Sequence, residues 1–251
     1  MFGNLFKSKK SALAPRHIPV GGKVGMVKAT FPLVACAGKD AHTVISDLAK
    51  QRDVTPIVMG GLRSVEMMVD MHMGRHPQEI LYDANSFNFD TWISAAREKA
   101  REIAEETGVP YPHPGQFEGP SVQTDAIAAA VSAPLRPGAL NEAYIGVFQT
   151  ADPTEVPAIL DCGGWNDFPM AEVHVGLHRR WRDRDGARLI GHSHDLLTFH
   201  VLRPPNSQNE AFALAEEQFA YCPDIIQQGY GSLGRLAGAL LGSRTWQLWW
   251  D

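Results

Sequence analysis

Five of the ten histidines, His174, His178, His192, His194 and His200, crowd into one stretch of the chain. His174 and His178 are one helical turn apart, which sets their Cβ atoms about 5–6 Å from each other, and His192 and His194 alternate onto one face of a strand. If that helix packs on that strand, four imidazoles converge beside Asp195, a donor set suited to zinc or another borderline divalent cation. The face that holds His174 and His178 also carries Trp181, so half-buried packing histidines are the competing reading and the preferred one.

His194 and Asp195 also fit a general base with its orienting carboxylate, or a hairpin turn in which Asp195 accepts backbone hydrogen bonds; the turn is preferred. Cys222 would be a nucleophile if His194 raised its thiolate fraction. Its place at the C-terminal end of a helix, just before Pro223, disfavours the thiolate, and a small buried side chain is expected instead. Trp165 and Asn166, behind Gly163 and Gly164, either line a pocket with Asp224 for a small polar ligand, or plug the core and cap a chain reversal. Gly229, Gly231 and Gly234 spell GxGxxG, but a helix precedes them and no acid follows at dinucleotide-site spacing, so they read as the end of one helix and the start of the next. Gly60 and Gly61, between a strand and a helix, either face an anion with backbone amides or make a tight turn.

These residues need elements to hold them. Residues 31–37 read as a strand, and Asp40 as the cap of a helix with Ala41, Val44, Ile45 and Leu48 on one side. Residues 56–59 read as a second strand, followed by a helix striped with Leu62, Val65, Met68 and Val69. Residues 80–82 read as a third, and Asp90 as the cap of a helix running through Trp92, Ile93, Ala96, Ala100 and Ile103 to Gly108. Strands separated by helices predict a small α/β layer over residues 29–109, with a parallel sheet. Six prolines between Pro110 and Pro137 mark residues 110–139 as a connector. Residues 140–251 then read as a C-terminal domain: a strand at 144–149, a short helix at 153–160, a Gly-rich turn at 162–169 and a helix at 171–184. A hairpin at 188–191 and 196–202, helices at 207–221 and 232–241, and a closing strand at 245–250 complete it. In the last strand Trp246, Leu248 and Trp250 share a face that should point inward. The predicted class is α+β, a mostly antiparallel C-terminal sheet with packed helices preceded by the smaller α/β layer.

At 251 residues and 44% apolar, the chain can fill one large core or two modest ones. No apolar run approaches the ~18 residues of a membrane span, and the first ten residues lack a signal peptide's apolar stretch, so a cytoplasmic location is expected. Cys36, Cys162 and Cys222 are odd in number and widely spaced, which indicates neither a disulfide framework nor a zinc finger and fits a reducing compartment. Residues 1–28 hold Lys7, Lys9, Lys10, Arg16, Lys23 and Lys28 with no acid and read as a basic flexible tail. The remainder is more acidic than the overall charge of −5, which argues against a nucleic-acid partner.

The C-terminal motifs carry a resemblance. Gly163, Gly164, Trp165 and Asn166; Ser193, His194 and Asp195; Arg203, Pro204 and Pro205; Ala220, Tyr221, Cys222, Pro223 and Asp224; and Gly242, Ser243, Arg244, Thr245 and Trp246 with Trp249, Trp250 and Asp251 resemble, in order and spacing, a bacterial family catalogued as domain of unknown function 4253. The resemblance implies no activity, substrate or cofactor, and its pattern holds His194 and Asp195 without the helical pair. The expectation is a non-catalytic binding or protein-interaction module with a protein partner or a small polar ligand. Its candidate pocket residues are Trp165, Asn166, His194, Asp195, Cys222 and Asp224. No cofactor is expected beyond a possible divalent metal, and the alternative is a metal-dependent hydrolase using His174, His178, His192 and His194.

Overall fold

Leu33, Val34, Ala35, Cys36 and Ala37 are apolar without alternation, and all five are buried because the strand they form is covered on both faces. The structure, a computed structural model, describes residues 14–119, 124–133 and 136–250. Its strands are β1 (Arg16–Ile18), β2 (Lys23–Val24), β3 (Val27–Lys28), β4 (Leu33–Ala37), β5 (Thr55–Gly60), β6 (Ser132–Ala133), β7 (Arg136–Ala139), β8 (Glu142–Phe148), β9 (Ala187–His192), β10 (Leu196–Val201) and β11 (Thr245–Trp249). Its helices are α1 (Ala41–Leu48), α2 (Leu62–Met71), α3 (Pro77–Asn85), α4 (Phe89–Thr107), α5 (Ala126–Ala130), α6 (Val156–Leu160), α7 (Ala171–Asp185), α8 (Gln208–Tyr221) and α9 (Leu233–Leu240).

Seven strands form one sheet in the order β1-β4-β8-β5-β9-β10-β11, antiparallel at every junction except β5 with β9. This mostly antiparallel sheet with packed helices makes the protein α+β. The strand–helix–strand order β4, α1, β5 does send both strands the same way, as the spacing predicts. Yet β8 lies between them, antiparallel to both, with Ile145 opposite Val34 on one side and Val58 on the other. Sequence spacing sets a strand's direction but not its neighbour, so the parallel sheet expected within residues 29–109 does not form. Of the basic tail expected over residues 1–28, residues 1–13 lie outside the described residues, while β1, β2 and β3 occupy the rest and β1 pairs with β4.

One face of the sheet is covered by α1 and α5, whose Val44, Ile45, Leu48 and Ala130 pack on Val34, Val58 and Ile145. The stretch read as a connector thus contains a helix that belongs to the core. The alanines of α5 come close because Gly191 lies beneath them: a Cβ at 191 would stand 2.9 Å from the Ala130 Cβ. The opposite face takes α2, α7, α8 and α9, with Met68, Trp181, Leu214 and Leu236 in one core with Leu189, Leu197 and Phe199. Trp246, Leu248 and Trp250 join that core at 1% exposure or less, as the alternation predicts. No helix among the described residues is long and apolar enough to cross a membrane.

Two local expectations are corrected. Residues 80–82 are helical, not a strand: Pro77 opens α3, the His76 imidazole accepts from the Gln78 N–H, and Ile80 and Ala84 are buried one turn apart while Tyr82 points to solvent. The cap of α4 is Asn88 rather than Asp90, its Oδ1 accepting from the Thr91 N–H at 2.9 Å, and Gly108 ends the helix in the left-handed region.

The chain at 116–118 lies directly on α9. A Cβ on Gly238 would sit 1.4 Å from the Glu118 carbonyl oxygen, and one on Gly234 2.3 Å from that of Gln116. Gly238→Val is therefore expected to lift this segment, destabilising by about 1–3 kcal/mol as overpacking does. Chemical denaturation gives the loss, and faster amide exchange or proteolysis near residues 110–119 locates it.

Candidate functional site

The face of α7 that carries His174, His178 and Trp181 turns inward, and the histidines meet the last residue of α8. The Tyr221 hydroxyl lies between them, bonded to His174 Nδ1 and 3.0 Å from His178 Nε2. One phenol proton serves both contacts if the hydroxyl donates to one imidazole and accepts an N–H from the other. His192, at the end of β9, completes the group: its ring centroid is 5.9 Å from that of His174, and Phe168 stands 4.5 Å from His174 and 4.7 Å from Trp250. All three imidazoles are 0–1% exposed.

Burial decides their charge. It pushes His192 down to about 4, takes His174 and His178 well below the ordinary imidazole value, and pushes the Tyr221 phenol well up. The cluster is neutral near pH 7. A cation bound at His174 Nδ1 and His178 Nε2 would have to take the place of the Tyr221 hydroxyl. Among the described residues no group of three or more His, Cys, Asp or Glu is arranged to hold a metal ion.

His194 makes its contacts elsewhere. Its Nδ1 is 3.2 Å from both Ser64 Oγ and Asp195 Oδ1, and its backbone N–H donates to Ser64 Oγ at 3.3 Å. Ser64 stands in the first turn of α2, so this group bridges the ends of β5 and β9, the parallel junction of the sheet. One Nδ1 cannot donate to Asp195 and accept from Ser64 at once, so the three do not form a serine nucleophile with its base. The reverse turn is held differently from the expectation: Ser193 Oγ accepts from the Asp195 and Leu196 N–H groups and donates to Asp195 Oδ1 at 2.7 Å. His200 lies on β10, half-buried.

The other predicted pocket residues differ in exposure and contacts. Trp165 is half-buried and stacks with centroids 5.7 Å apart on Phe168, the ring that meets His174. Asn166 and Asp167 form the exposed tip of that turn at φ 42° and 58°, a region Asn and Asp enter more readily than most residues. Cys222 is fully buried, its thiol donating to the Trp249 carbonyl at 2.9 Å and pushed up by burial, which suits packing rather than attack. Asp224 begins the helical turn Ile225–Tyr230 and accepts from Gln228. Its charge and that of Asp167 reach Tyr111, whose hydroxyl is raised first by burial and then by these carboxylates.

Phe168, Tyr221, His192 and Trp250, drawn from four separate points of the C-terminal half, thus share one core. Residues 144–251 match the family model described as Domain of unknown function (DUF4253). No curated protein and no solved structure matches the chain. The DUF4253 segment starts within β8 and supplies β9, β10, β11, α7, α8 and α9, whereas Ser64 and α4 lie outside it.

A wide cleft straddles that boundary. Its volume is about 460 Å³, with Ala96, Ala100 and Ala104 of α4 on one wall and Phe219, Ala220 and Leu233 of the DUF4253 segment on the other. Tyr111 lines it too, meeting Phe219 edge-on at 5.3 Å. The sequence carries a signal for this: the alanines recur every four residues along a helix of which only Ile93 is buried.

Proposed function

We propose that this chain is a binding module whose ligand is a small organic molecule with an apolar body, held between α4 and α8. The observation that carries the reading is the 460 Å³ cleft, since pockets of about 300–1,000 Å³ with apolar walls and a few polar groups at the edge are where proteins hold small molecules. The edge is polar: Arg97 pairs with Glu216 at 2.7 Å, Arg101 with Glu98 at 2.6 Å, and the Tyr111 hydroxyl bonds Gln227. The site combines packing surface with fixed hydrogen-bonding groups, which supports binding over turnover. The same reading sets the protein in a reducing cytoplasm, supported by three buried cysteines that remain free thiols.

Ala100→Trp tests it by filling the cleft from the half-exposed face of α4. The wild-type chain is expected to bind anilinonaphthalene sulfonate with saturable fluorescence enhancement. The variant should keep the wild-type circular dichroism and melting temperature while losing at least about tenfold in affinity, the effect of roughly 1.4 kcal/mol. Equal dye binding by wild type and Ala100→Trp, confirmed with Ala104→Trp, would exclude this cleft as the site.

A further inference from the structure

On the far side of α8 from the cleft, the helix carries a side chain that the fold leaves unanswered. Gln218 is 0% exposed, and neither its Nε2 nor its Oε1 meets a hydrogen-bond partner among the described residues. The Trp246 indole, 1% exposed on β11, leaves its Nε1 in the same condition. Both side chains line one cavity of about 110 Å³. Burying an amide without partners is unfavourable, and native proteins keep few such groups, so three orphaned polar atoms around a single cavity call for something to answer them.

We propose that this cavity is a binding site for a small neutral molecule with an amide-type edge, a primary carboxamide or a urea. Gln218 presents one donor and one acceptor side by side, the pattern an amide edge complements, and Trp246 adds a second donor. Three neighbouring polar side chains are already engaged. Ser243 Oγ donates to the Thr245 carbonyl, Thr245 Oγ1 donates to the Thr124 carbonyl, and Gln247 Nε2 donates to the Ala129 carbonyl. The buried unsatisfied hydrogen-bonding capacity of this lining comes from Gln218 and Trp246.

Charge sets the class of ligand. The lining residues, among them Ile225, Leu236, Ala239, Leu240 and Ser243, include no acid and no base. An ion entering would shed its hydration with no counter-charge to receive it, whereas a neutral amide exchanges its water hydrogen bonds for those of Gln218 and Trp246. The volume sets the size. A space of about 110 Å³ suits a small molecule rather than a drug-sized one.

The experiment titrates acetamide into the full chain and follows the indole N–H resonances, the Trp246 signal being assigned by Trp246→Phe. The expected result is a saturable shift of that resonance with acetamide and a response at least tenfold weaker with acetate, the charged molecule of the same shape. Gln218→Leu should fold with an unchanged or raised melting temperature, since it replaces an unanswered amide by an apolar group of similar size, and should lose the acetamide response. Ala239→Leu, which fills the cavity while keeping Gln218, should lose it as well. No saturable shift, an equal response to acetate, or a response that survives Gln218→Leu would overturn the proposal and leave the cavity to ordered water.

Discussion

As pH falls below about 6.5 the protein is expected to lose stability, with a slope that steepens toward about 4 kcal/mol per pH unit as three imidazoles that stay neutral when folded become fully protonated when unfolded, each contributing up to about 1.4 kcal/mol per unit. The sign follows from depressed folded-state values. Unfolded histidines are half protonated near 6.5, while His192 resists until about 4 and His174 and His178 until well below the ordinary value. The stabilisation is complete above the unfolded value and is lost as pH falls toward the folded ones. His194, also lowered by burial, adds in the same sense, and Asp185, whose carboxyl burial pushes up, opposes it as a single group. Denaturant melts across this range give the slope, and His192→Gln should reduce it by about one proton. A flat profile, or a slope that ignores that substitution, would contradict a neutral buried cluster.

Glu217→Ala is expected to cost about 3–5 kcal/mol, the loss seen when one partner of a buried ionic group is removed. Glu217 is 5% exposed, and its two oxygens accept from Trp181 Nε1 at 3.0 Å, Arg184 at 2.6 Å and Arg180 at 3.2 Å. Removing the carboxylate leaves a buried indole N–H without its acceptor and two guanidinium groups facing each other across the gap. Arg180 also lies over the Phe89 ring at 3.5 Å, so the damage should reach the start of α4. The measurement is urea denaturation of wild type, Glu217→Ala and Glu217→Gln. The glutamine variant keeps an acceptor for Trp181 and should recover part of the loss, whereas identical losses would show that charge alone matters.

Much of the C-terminal half was legible because its signals are local. The α7 pattern, the β9–β10 hairpin, α8 stopped by the residues around Pro223, and the alternation that buries Trp246 and Trp250 all depend on residues close in sequence. The position of β8 was not, since pairing with β4 and β5 joins residues about a hundred positions apart and no spacing encodes it. The histidine cluster was half legible. That His174 and His178 share a helix face with Trp181 followed from spacing, but both are fully buried rather than half-buried, and the Tyr221 hydroxyl that ties the pair together comes from a different helix. The assignment of His194 to the same group failed because the chain between His192 and His194 turns at Ser193 instead of continuing as a strand, which takes the second ring to Ser64. Gln218 did leave a trace: Ala211, Leu214, Ala215 and Gln218 follow helical spacing on the buried side of α8, and a polar residue on such a stripe marks an interior hydrogen-bonding demand.

The central seat of β8 gives the order of synthesis a physical meaning. As the chain leaves the ribosome, β4 and β5 emerge early, each with an edge that can be closed only by residues 142–148. Until that strand arrives, two apolar ribbons wait with their amides and carbonyls open, the condition that invites intermolecular pairing. A nascent chain halted before residue 142 should therefore be a substrate for holdase chaperones. A fragment cut at residue 144 would meet the converse problem, carrying β8 without either of the strands that flank it.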